Sequence, residues 1–199
     1  MFNRVLTFRG AANLDGGVTY LRDAALPVLE AQHGYRGVTA SGDRSRGVFG
    51  ILSLWDTESD RSASDSALGK ARDEALKVVG GDLTIENFEE VVLEMVRPPS
   101  PGCGLFLTRV HMDPSAIEEN LKFFKSDVLP QIKSQPGFCG LRNMIDRATG
   151  QAIVGSVWET RTQAETMQAT APERRAGAEE RGISFDETEV REILFASIK

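Results

Sequence analysis

The sequence predicts an α+β protein built from two successive copies of one module of about a hundred residues, each with the element order βαββαβ. Three observations predict it: matched residues at a near-constant offset, the same alternation of strand-like and helix-like segments in both halves, and a Pro-rich segment between them. Gly34-Tyr35-Arg36-Gly37-Val38 matches Gly137-Phe138-Cys139-Gly140-Leu141 at an offset of 103. The same offset sets Leu26-Pro27 on Leu129-Pro130, Asp43-Arg44 on Asp146-Arg147, Gly47 on Gly150, Ser53 on Ser156 and Trp55 on Trp158. The offset is 101 near the start, where Leu6-Thr7 meets Leu107-Thr108, and 102 near the end, where Glu90-Val91-Val92 meets Glu192-Ile193-Leu194.

Each element has its own signal. Residues 4–9 and 105–111 are short runs rich in strand formers. Helical stretches follow at 14–32 and 115–134; in the second, Asp113-Pro114-Ser115 supplies the start, and Ile117, Leu121, Phe124 and Val128 recur at helical spacing. Pro27 and Pro130 predict a kink or an early stop. Strand pairs are expected at 37–41 with 48–55 and at 140–145 with 152–158, joined by hairpin loops that Asp opens and Gly closes. Second helices fall at 59–79 and 162–181, and final strands at 88–95 and 189–197. The charged run from Glu173 to Arg181 reads as a solvated helix face with ion pairs at helical spacing. Residues 1–96 thus form the first ferredoxin-like module, 97–102 a stiff linker and 103–199 the second module.

A four-stranded sheet with helices on one face must bury the other, and a second copy is at hand to do so. We therefore expect an internal pseudo-dimer, monomeric or loosely dimeric in solution. A net charge of −6 without a basic patch argues against nucleic acid. No apolar run approaches the length of a membrane span, and Arg4 interrupts any signal-peptide core, so a cytoplasmic protein is expected. Cys103 and Cys139 start strands two spacings apart, about 9–10 Å, too far for a disulfide. No metal-ligand spacing, phosphate loop, dinucleotide fingerprint or nucleophile elbow is present, so neither metal nor cofactor is expected.

The helix-Pro-Gly-aromatic-x-Gly turn (Gln135-Pro136-Gly137-Phe138-Cys139-Gly140), the Asp-Arg-x-x-Gly hairpin, and the strand ending Trp55-Asp56-Thr57 or Trp158-Glu159-Thr160 resemble the dimeric α/β-barrel superfamily in its antibiotic-biosynthesis-monooxygenase branch. The resemblance covers nearly the whole chain, twice. It implies two ferredoxin-like modules paired within one chain as a dimeric α/β-barrel. Similar proteins include cofactor-free monooxygenases acting on aromatic polyketides and haem-degrading enzymes. The haem-degrading relatives carry a His on or near the second helix; neither second helix here contains one, which disfavours that activity.

A cavity between helices and sheet would be mostly apolar with few polar groups, and an enzyme's should exceed about 300 Å³. The aromatic candidates to line it are Phe124, Trp158 and Trp55, although core packing claims such residues too. The polar candidates are Arg142, Asn143, Arg36 and Thr39, with Arg109 and His111 as the anion-stabilising donor and the base. His33 and His111 have no counterparts in the other copy, and a solvated or capping role stands beside acid/base work for each. Two functions remain open: a cofactor-independent monooxygenase, in which the substrate anion itself reduces O2, and a non-catalytic protein that either binds a small hydrophobic molecule or is purely structural, its pocket filled by side chains.

Overall fold

The computed structural model describes residues 1–199, the side chains of Glu173 and Arg174 excepted. The class is the one expected: α+β, with two ferredoxin-like units in one chain. Unit 1 comprises Met1–Asn87 with Ile193–Lys199, and unit 2 comprises Phe88–Glu192. These limits differ from the expected 96 and 103, because the closing strands start earlier and run longer than their apolar segments suggested. β4 spans Asp82–Met95 and β8 spans Ser184–Ile198, and each contributes residues to both units.

In unit 1, β1 (Phe2–Arg9), β3 (Val48–Trp55) and β2 (Tyr35–Asp43) pair antiparallel in the order β1-β3-β2. The end of β8 joins beside β2, where Lys199 N donates to Arg36 O at 3.0 Å. In unit 2 the order is β8-β5-β7-β6-β4, with β5 at Gly104–His111, β6 at Phe138–Ile145 and β7 at Gln151–Trp158. Asp43 Oδ1 accepts from Ser45 N at 3.0 Å and Asp146 Oδ1 from Ala148 N at 2.9 Å, the side-chain turns that close both hairpins.

The first helices pass through their prolines instead of stopping. In unit 1, α1 (Leu14–Tyr20) continues through a π-helical turn, Leu21–Ala25, into α2 (Leu26–Glu30). In unit 2, α4 (Ile117–Phe123) continues through Phe124–Val128 into α5 (Leu129–Lys133). Pro lacks an N–H and crowds the carbonyl four residues back; widening the preceding turn accommodates the ring without ending the helix.

The second helices differ. α3 runs unbroken from Glu58 to Val79, capped where the Thr57 side chain accepts from Asp60 N at 3.0 Å. Its counterpart, expected to be continuous, divides at Thr170 into α6 (Arg161–Ala169) and α7 (Ala171–Glu179). Pro172, in the first turn of α7, cannot donate to the preceding turn, and no such residue interrupts α3. Gly34 and Gly137 enter the second strands with φ of 71° and 81°; a Cβ there would strike the side chains of Asp60 and Gln163 just inside the caps.

Trp55 and Trp158 sit alike in the two cores, 0% and 1% exposed. Each donates its indole N–H at 3.0 Å to the serine two residues before it, Ser53 or Ser156. Each stacks edge-on against an aromatic ring 5.7 Å away, Tyr35 in unit 1 and Phe138 in unit 2. The register corrects one offset read from sequence: Arg4 pairs with Ser53 and Phe106 with Ser156, so the first strands correspond at 102 and not 101. That single residue decides which side chains face the helices.

Candidate functional site

Strand alternation in unit 2 aims Phe106, Thr108 and Val110 of β5 at the helices, together with Asn143 and Ile145 of β6 and Ser156 of β7. Opposite them stand Asn120, Phe123 and Phe124 from the first helix, Met167 and Ala171 from the second, and Arg175 of α7. Between these layers lies a cavity of about 110 Å³, predominantly apolar and smaller than the 300 Å³ expected of an enzyme pocket. The π-helical turn places Phe124 and Val128 on its wall.

The polar groups around this cavity fall into two sets. Trp158 Nε1 occupies Ser156 Oγ, and Asn120 Nδ2 lies 3.7 Å from Met112 Sδ. Asn143 is 6% exposed, and its Oδ1 has no hydrogen-bond partner. Arg175 is half-buried, with its guanidinium 4.7 Å above the Phe185 ring and its Nε buried without a hydrogen-bond partner. A buried polar atom left unpaired costs about 1–3 kcal/mol, and two of them border this one apolar space. No Asp, Glu, His, Lys, Cys or Tyr is among the described residues lining the cavity.

Unit 1 has a matching space of about 50 Å³ whose charges are internally satisfied. Arg4, 2% exposed, reaches it from β1 and donates to Ser64 Oγ at 3.0 Å and to Arg61 O at 2.7 Å. Asp65 pairs with Arg4 at 2.9 Å and with Arg72 at 2.7 Å. Burial lowers the affinity of Arg4 for its proton, and Asp65 opposes that loss.

Of the residues expected from sequence, Asn143 and Phe124 line the unit 2 cavity. Arg109 and His111 do not: they alternate with Thr108 and Val110 along β5, and His111 is exposed at the strand end. Arg142 is likewise out of phase with Asn143 and pairs with Glu90. Trp158 and Trp55 are core residues that touch the two spaces only through Ser156 and Ser53. Arg36 is exposed and holds Asp56 in a two-pronged contact of 2.6 and 2.5 Å. Thr39 is half-buried in β2 and lines neither space.

Sequence reasoning missed Arg175, placed on a solvated face. Within that run Arg175 faces the cavity, whereas Glu179, Glu180 and Arg181 are exposed; Arg181 lies 4.4 Å from the Phe123 ring and pairs with Glu119 at 3.6 Å. Glu173 and Arg174 lie outside the described side chains. The available signal was Arg72, which the offset of the capping residues Thr57 and Thr160 matches to Arg175.

Elsewhere in unit 2, Cys103 and Cys139 are free thiols on one polar depression shared with Arg97 and Glu159. Burial pushes the Cys139 thiol up from its ordinary value. Among the described residues no cluster of three or more His, Cys, Asp or Glu is placed to hold a metal ion, and no helix is long and apolar enough to cross a membrane.

No family model matches the chain. It is 28% identical over 174 residues to the uncharacterized protein Rv2557 of Mycobacterium tuberculosis, covering 84% of this chain and 77% of that one. Among solved structures it is similar to a Fusobacterium nucleatum protein described as a putative monooxygenase, at a TM-score of 0.73 and 10% identity, covering 100% and 94% of the two chains. It is also similar to an anthrone oxidase-like protein, at a TM-score of 0.71 and 12% identity, covering 99% and 92%. Over its whole length, the chain has the ferredoxin-like fold of proteins related to the antibiotic-biosynthesis monooxygenases.

Proposed function

We propose that unit 2 binds a small, mainly apolar molecule in the space between its sheet and its helices. The observation that carries this reading is the pairing of an apolar cavity of about 110 Å³ with a buried Asn143 whose Oδ1 has no partner. An engineered apolar cavity of about 150 Å³ accepts benzene, so the ligand has at most about six heavy atoms. Calorimetric titration with cyclopentane derivatives tests the reading. Binding that disappears when Ala171→Trp fills the cavity supports it; absence of binding by every member of the set refutes it.

A second reading, cofactor-independent oxygenation, rests on the fold alone, which this chain shares with a protein described as anthrone oxidase-like, because the cavity of about 110 Å³ falls short of the size expected of an enzyme pocket. In that reaction an activated methylene carbon of the substrate loses a proton, the carbanion reduces O2 and forms a hydroperoxide, and loss of water leaves a ketone. The methylene group and one O2 become a carbonyl group and one water. Among the described residues lining the cavity none is a general base, so the reading calls for a substrate acidic enough to ionise without one. Oxygen consumption with acidic enols but not with weakly acidic ketones is the expected signature, and an oxygen electrode reads it directly.

A further inference from the structure

The two units differ at the position that decides what unit 2 binds. In unit 1 the Arg72 guanidinium meets Asp65 at 2.7 Å, a carboxylate supplied by the same helix seven residues earlier. At the matching offset unit 2 has Arg175, and the residue seven before it is Gln168, whose amide turns away to Thr188 O and Oγ1 at 3.5 and 3.3 Å. The Pro172 break falls between Gln168 and Arg175, so the helical geometry that joins Asp65 to Arg72 is interrupted. The Arg175 guanidinium is held against Phe185, with Nε unpaired and no carboxylate among the described residues lining the cavity.

We infer that unit 2 takes a small apolar monoanion, a carboxylate or an ionised enol, whose charged oxygens occupy beside Arg175 the place that Asp65 fills beside Arg72. The hydrocarbon part lies against Phe106, Val110 and Phe124, and the Asn143 amide, turned to present its amino group, donates to the second oxygen. Unit 1 excludes such a ligand because Asp65 already pairs with both of its arginines and Arg4 occupies the space where unit 2 has Phe106. The inference rests on the cavity being a ligand site and adds to it the charge of the ligand and the residue that reads it.

The test is calorimetric titration of the full chain at neutral pH with isobutyrate, with the enolate of cyclopentane-1,3-dione, and with the uncharged isostere isobutyramide. At least one anion should bind tenfold or more tightly than isobutyramide, and which one does so separates carboxylate from enolate as the ligand class. Arg175→Gln should abolish that preference while Arg72→Gln leaves it intact, with thermal melts confirming that both variants fold. Equal affinity for the amide and both anions, a preference that survives Arg175→Gln, or one that Arg72→Gln removes, overturns the inference and leaves the cavity reading standing. No binding by any of these probes or by neutral cyclopentanes removes the cavity reading itself.

Discussion

Asp65 in unit 1 holds both Arg4 and Arg72, whereas the matching stretch of unit 2 presents Gln168, Phe106 and an Arg175 whose Nε has no hydrogen-bond partner. The aromatic floors beneath are alike: Trp55 on Tyr35 and Trp158 on Phe138, with the same 5.7 Å spacing and the same indole-to-serine hydrogen bond. The contrast teaches that the positions maintaining the core coincide in the two units, while those around the space above the sheet have diverged in charge and volume. Beside its space, unit 1 pairs Arg4 and Arg72 with its own Asp65, whereas unit 2 leaves Asn143 Oδ1 and Arg175 Nε without partners.

The largest expected effect probes the shared floor. Trp55→Ala and Trp158→Ala should each cost about 3–5 kcal/mol in urea unfolding, because each removes a fully buried indole and leaves a void. A difference of more than about 2 kcal/mol between them would break the equivalence of the two cores.

A smaller effect separates the units at the ring beneath each tryptophan. The Tyr35 hydroxyl is buried without a hydrogen-bond partner, and burial pushes its phenol well above the usual range. Tyr35→Phe, which gives unit 1 the residue unit 2 has in Phe138, should stabilise the protein by about 1 kcal/mol. Destabilisation of that size would mean the hydroxyl is satisfied in solution.

The smallest effect concerns His33, present in unit 1 alone. Its Nδ1 lies 2.7 Å from Asp60 Oδ1, which raises its pKa above the ordinary 6.5. The raised value means that this contact stabilises the fold fully below pH 6.5 and ceases to do so as the pH rises through the folded-state value. Proton NMR titration should place the His33 midpoint above 6.5, and Asp60→Asn should return it there. Because the pair is exposed, added salt should shrink the shift.

The fold was legible in sequence because turns and caps are local. Glycines at positive φ, Asp-opened hairpins and Thr caps are each specified within a few residues, and the offset of 103 aligned them. The site was less legible because a side chain's face depends on register. Arg109, His111 and Arg142 are suitable residues one position out of phase, while Asn143 and Phe124 are in phase. Arg175 escaped notice because its neighbours in sequence are charged, and only the absence of an Asp65 equivalent distinguishes it. The ends of the units were hidden for another reason: β4 and β8 each contribute residues to both units, and no local signal marks Asn87 or Glu192.

Those limits set an order of events during synthesis. Unit 2 is one uninterrupted stretch, Phe88–Glu192, whereas unit 1 needs Ile193–Lys199 to finish the edge beside β2. A chain emerging amino terminus first therefore displays the unit 1 sheet with an open edge for the whole time that unit 2 is being made. The half that begins first is completed last.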